Sequence, residues 1–320
     1  MEPALYFLRV IAASNSGETL MKMKLLAAAS VLAMTATAAV AAPSMYINVG
    51  SNAYEWVGLT ANDSNTTTGT FTQFGFTLLS ATSVYQLNGS GALTGNFYDT
   101  NLASDFTNLG IGAAGRSGTA MDGISTVSLE NPHFDPTPAR VNIDALSPLV
   151  PPSLPGTDSE GFGLKWQLEV RYKFDGVLSA SGPTYTGGTW ELYFNDFVND
   201  ANDRTVVSGH LVNSVLQAAN LTLNLEVDSA EAGFLMIKDV NGNFVSAGDG
   251  TTFSLDTNVD PPIPTDSQLL AFVDGAGNSV AVRQTELDGS IRPTTVPEPA
   301  SLALVGLGFA GLFAARRRKA

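Results

Sequence analysis

The chain has 320 residues, with 16 Lys and Arg against 30 Asp and Glu, and no cysteine. The absence of thiols excludes cysteine nucleophiles, cysteine zinc sites and thioether-linked haem, and leaves stability to the packed core alone. With the two ends described below set aside, nine basic residues face 27 acidic ones, a net charge near −18 that repels nucleic acid and anionic lipid and favours solubility and divalent cations.

Lys22 and Lys24 precede an apolar run from Leu25 to Val40 that ends in Ala38, Ala39, Ala41 and Ala42. A charged segment, an apolar segment and an A-x-A-like site make a secretory signal over residues 21–41. Cleavage after Ala41 starts the mature chain at Ala42 and keeps Pro43 off its first position. Residues 1–20 carry Glu2 and Glu18 and do not resemble such a leader. Met21 or Met23 is the expected start, and the first twenty residues read as an artefact of start assignment.

From Ala42 onward the apolar residues follow period two far more often than 3.6. Tyr54 and Trp56 share one face of an expected first strand. Thr70 to Leu79 and Thr82 to Leu87 read as a pair of strands. Leu164, Trp166, Leu168, Val170, Tyr172 and Phe174 alternate with Lys165, Gln167, Glu169, Arg171 and Lys173, the pattern of a half-buried antiparallel strand. Trp190, Leu192 and Phe194 repeat it in a neighbouring strand, so Trp166 and Trp190 are core candidates. Ser208 to Ala219, with Leu211, Val212, Val215, Leu216 and Ala219, fits helix and strand equally. Leu221, Leu223, Leu225 and Val227 alternate again. Asn241-Gly242 tolerates the positive φ values of a tight hairpin, and Gly275-Ala276-Gly277 joins Leu269–Asp274 to Ser279–Gln284. Pro-rich stretches at Asn131–Pro138, Ser147–Pro155 and Asp260–Pro264 are loops. Residues 289–296 lack apolar periodicity and read as a short stalk.

No HExxH, Walker loop, GxGxxG or GxSxG is present. The two histidines, His133 in a Pro-rich loop and His210 beside an apolar run, read as surface or packing residues. Paired carboxylates could cleave glycosides, but the 27 acids offer no distinguished pair. The one dense cluster is Asn195, Asp196, Asn199, Asp200, Asn202 and Asp203. Its oxygens suit calcium, with Asp196, Asp200 and Asp203 as the charged ligands; equally, Asn and Asp are the usual residues of a solvated turn. No other cofactor is called for. Tyr54, Trp56 and Tyr193 are candidates for stacking on sugars, Tyr193 because its strand phase points away from the core.

The last twenty-five residues hold three units in fixed order. Pro297-Glu298-Pro299 is extended backbone accessible to an enzyme. Ala300 to Ala315 carries no charge and, as a helix at about 1.5 Å per residue, spans roughly 24 Å. Arg316-Arg317-Arg318-Lys319 anchors its end on the cytoplasmic side. This tail resembles the PEP-CTERM sorting signal of Gram-negative bacteria, with Pro297, Glu298 and Pro299 as the name-giving motif. The resemblance covers under a tenth of the chain. It implies passage through the inner membrane, processing by an exosortase-type enzyme, and delivery to the cell surface or extracellular matrix, commonly alongside exopolysaccharide. A permanent single-span anchor is the competing reading of the same residues.

The expectation is therefore an all-β fold, an antiparallel two-sheet sandwich of jelly-roll type over 42–288. A signal helix precedes it, and a transmembrane sorting helix over 297–320 follows the stalk. The cysteine-free acidic β domain is similar in general character to floc-associated proteins that carry this signal. That likeness implies a non-enzymatic matrix protein working with exopolysaccharide in biofilm or floc formation. A secreted polysaccharide-modifying enzyme with two carboxylates and a plain surface-coat protein are the alternatives.

Overall fold

A computed structural model describes residues 43–54, 65–130, 141–149 and 158–294. Eight antiparallel strands close on themselves: β2 (Gln73–Leu87), β3 (Leu93–Thr100), β7 (Trp166–Ser179), β8 (Gly182–Asp196), β9 (Arg204–Gln217), β10 (Asn220–Ala230), β13 (Thr252–Asn258) and β15 (Ser279–Pro293). The ring is sealed where β15 pairs with β2 from Val280↔Gln86 to Ile291↔Phe74. The expected two-sheet sandwich is thereby corrected to a barrel. Both architectures place alternate residues inside, so strand phase could not separate them; the deciding contact joins strands about two hundred residues apart.

One position in the ring is shared. β6 (Val141–Ser147) pairs with Gln73–Thr77 of β2, and β3 pairs with Thr82–Leu87 of the same strand. On the other side the two meet β7 in the same end-to-end order, β6 at Glu169 and Val170 and β3 from Lys173 to Val177. Thr70–Leu79 and Thr82–Leu87, expected as two strands, thus belong to one continuous β2. A bulge replaces the expected turn, with Leu78↔Leu287 followed by Ala81↔Thr285. The extra residue reverses the strand's faces. Phe74 and Phe76 point inward before it, Ala81 and Tyr85 after it, and Val84 faces outward.

The barrel interior holds the main core. Trp166, Leu168, Val170, Tyr172 and Phe174 of β7 are buried in it, as are Trp190, Leu192 and Phe194 of β8. Gln167, Arg171 and Lys173 lie on the outer face. That arrangement is the reverse of a membrane-spanning barrel, whose outer band is apolar. Ser208–Ala219, ambiguous in sequence, is almost wholly strand: β9 has β8 on one side and β10 on the other, and these ladders override its helical spacing.

At one end a three-stranded sheet covers the core: β1 (Met45–Ile47), β11 (Leu235–Lys238) and β12 (Phe244–Ser246). β11 and β12 form the hairpin expected around Asn241-Gly242, with Gly242 at φ 86°. Met45 bridges Phe71 just before β2 begins, and the Thr294 amide donates to the Thr252 carbonyl where β13 begins. The first and last described residues therefore leave from the same end. Residues 289–293, expected as part of a stalk, are instead the last stretch of β15, with Ile291 buried.

A second, smaller core lies outside the barrel wall. Helix α1 (Ala103–Leu109) and strands β4 (Ser117–Ala120), β5 (Thr126–Ser128) and β14 (Leu270–Val273) pack Phe106, Leu109, Leu270 and Phe272 on the outward Val84, Val280 and Val282. Among the described residues no helix is long and apolar enough to cross a membrane. The expected signal and sorting helices lie outside the described residues.

Candidate functional site

The acidic cluster forms the β8–β9 connection. Asp196 is 1% exposed and its carboxylate accepts four hydrogen bonds. Oδ1 takes the amides of Val198 and Asn199 at 2.8 and 3.1 Å, and Oδ2 takes Tyr54 OH at 2.5 Å and Asn202 Nδ2 at 2.7 Å. Burial pushes this carboxyl up, but the hydrogen bonds together outweigh it and hold it below the usual range. Burial, and then Asp196, push the Tyr54 phenol up to about 12. Asp203 Oδ1 accepts the Asp196 amide at 2.7 Å, Asn199 caps the short turn at Asp200–Asn202, and Asp200 is exposed. As placed, these residues build a braced turn. Among the described residues no three His, Asp or Glu side chains come together as a metal site.

The stacking candidates separate. Tyr54 sits in a short 3₁₀ turn, Asn52–Tyr54, rather than in a strand, and is 6% exposed with its hydroxyl committed to Asp196. Tyr193 does face outward, but the Arg171 guanidinium lies 3.4 Å above its ring centroid and covers one face. Trp56, the cleavage residues Ala41 and Ala42, and the motif Pro297, Glu298 and Pro299 fall outside the described residues. His210 pairs with Asp228 at the surface, 2.8 Å from Nδ1 to Oδ1. Beside Tyr54 an open cleft of about 580 Å³ includes Asn202, Asp203, Arg204 and Glu231. Arg204 there holds Glu231 through two bonds, at 2.6 and 3.0 Å.

Sequence reasoning missed the polar group inside the barrel. A cavity of about 60 Å³ lies between Phe76, Phe97, Phe174 and Leu223, toward the end where Pro183, Val259 and Pro262 stand. Into it project Asp99 of β3, Tyr185 of β8, Ser83 and Tyr85 of β2, and Arg283 of β15. Tyr185 OH donates to Asp99 Oδ2, and Ser83, Tyr85 and Arg283 stand close enough to Asp99 or to one another to act on the titration of Asp99 and Tyr85. Arg283 is 5% exposed and donates to the carbonyls of Pro261 at 3.0 Å and Asp260 at 3.2 Å. Within this group two buried atoms keep no partner, Asp99 Oδ1 and Arg283 Nε. Burial pushes the Asp99 carboxyl up to about 6 against the pull of these partners, raises Tyr85 to about 12, and holds Tyr185 well above the usual phenol. The available signal was charge on a core phase, Asp99 two residues after Phe97 and Arg283 two after Ala281.

Residues 295–319 match the PEP-CTERM protein-sorting motif. The chain is thus an exosortase-targeted exported protein that is sorted to the cell surface. No curated protein and no solved structure matches it.

Proposed function

We propose that the protein is a non-enzymatic component of the extracellular matrix of a Gram-negative bacterium, working with exopolysaccharide in biofilm or floc formation. The observation that carries this reading is the joint placement of the chain ends. Thr294 leaves beside Thr252 at the end covered by β1, β11 and β12, so a tail bearing the sorting motif starts from that one end of the barrel. The polar, acidic exterior supports solubility within a hydrated matrix. The non-enzymatic reading is supported by the carboxylates at the open cleft, since Asp203 braces a backbone amide and Glu231 is held by Arg204.

The test is co-sedimentation of the purified exported protein with exopolysaccharide from its own host. The protein is expected in the polysaccharide pellet, with no new reducing ends released. Protein that stays in the supernatant across the salt range counts against the partnership. Release of reducing ends favours the enzyme reading.

A further inference from the structure

We propose that the barrel lumen is a binding site for a small neutral amide group, of the size of an acetamido substituent. This goes beyond the matrix reading and does not depend on it. The cavity holds one unpartnered acceptor, Asp99 Oδ1, and one unpartnered donor, Arg283 Nε, both out of solvent. Buried polar groups without partners are rare and costly, and a pair of opposite kind facing one cavity is a recognition element in want of a ligand.

Three features set the ligand's chemistry. Asp99 and Arg283 carry opposite charges, so a neutral group is favoured over either ion. Two of the neighbouring polar groups are already engaged, Tyr185 with Asp99 and Thr257 with the Asp288 carbonyl at 2.7 Å. Apart from Ser83 and Thr285, the remaining wall is aromatic and aliphatic. About 60 Å³ is room for about two waters at ~30 Å³ each. A buried water normally makes about three hydrogen bonds, whereas most of the wall around Asp99 and Arg283 is apolar. An amide uses its N–H on Asp99 Oδ1 and its carbonyl on Arg283 Nε, and lays its methyl on that apolar wall. The same group occurs on free small amides and on N-acetylated amino sugars.

The experiment titrates the exported protein with acetamide, N-acetylglucosamine, glucosamine and glucose, following tyrosine ring resonances by NMR. The expected result is a saturable shift with the amide probes, confined to Tyr85, Tyr172 and Tyr185 and leaving Tyr46 and Tyr193 unmoved. Glucose and glucosamine should have no effect. Response to acetamide alone assigns a free small amide, and response to N-acetylglucosamine assigns the substituent of a sugar. Ala81→Leu, which fills the cavity from its wall, should abolish the shift, and Arg283→Met should weaken binding roughly tenfold or more. The proposal is overturned if no amide probe gives a saturable shift, if glucose matches N-acetylglucosamine, or if the shifts fall on Tyr46 or Tyr193 instead.

Discussion

Tyr185 and Asp99 meet across the barrel interior, the phenol of β8 donating to the carboxylate of β3 although β7 lies between those strands. Tyr185 lies opposite Gly176 of β7, which has no side chain, so its ring can reach over that strand to Asp99. The pair also places an ionisable carboxyl where burial dominates its chemistry.

The pH dependence follows from that burial. The folded-state pKa of Asp99, about 6, lies above the ordinary carboxylate value. The native state therefore binds the proton more tightly than the unfolded chain, and this contribution is complete below about pH 4 and lost as pH rises through about 6. Two pK units correspond to about 3 kcal/mol. Denaturant melts of wild type and Asp99→Asn across pH 4–8 should diverge over that interval, wild type losing ground as pH rises. Parallel profiles would show that the carboxyl is solvated.

Trp166 is the anchor of the covered end. It is fully buried, stacks on Phe194 at 5.5 Å, meets Phe162 edge-on at 5.1 Å, and donates Nε1–H to the Glu160 carbonyl at 2.6 Å. Trp166→Ala should destabilise by about 3–5 kcal/mol, read from the urea midpoint. A loss under about 1 kcal/mol would contradict the inward phase of β7.

Gly209 is required by contact rather than by backbone angle. A β-carbon there would lie 2.0 Å from the Glu226 carbonyl oxygen and 2.7 Å from Trp190 Nε1. Gly209→Ala should cost about 1–3 kcal/mol or more through overpacking, and should perturb Trp190 fluorescence. An unchanged midpoint would mean that β9 and β10 are farther apart than described.

The turn at Asp196 should respond to its donors more than to metal. Removing the carboxylate in Asp196→Ala strands four donors and should cost about 2–4 kcal/mol. Because its pKa is lowered, the stability it supplies is present at neutral pH and lost on acidification through that depressed value. Calcium would have to displace those donors, so melting should be equal in calcium and in chelator at matched ionic strength. A rise specific to calcium and absent in Asp200→Asn would show that the loop rearranges into a cage.

Much of the barrel wall was legible before the structure. Period two placed Trp166 and Trp190 on the core faces of paired strands, and Asn241-Gly242 marked a real hairpin, because both signals are local. Closure was not legible, since it rests on contacts such as Gln284 to Thr82, 202 positions apart. The lumen group was hidden for a related reason: a lone Asp99 or Arg283 on an apolar phase gains meaning only when distant strands bring the two to one cavity. The acidic cluster carried two readings, calcium ligands and a turn between strands; the turn is seen, with Asp196 and Asp203 bonded within it.

The most direct test of the matrix role is deletion of the gene in its host, followed by measurement of cell aggregation and of secreted polysaccharide. The account predicts dispersed cells that still make polysaccharide, with aggregation restored by the full chain and not by a chain ending at Thr294. Normal aggregation in the deletion strain, or loss of the polysaccharide itself, would contradict it.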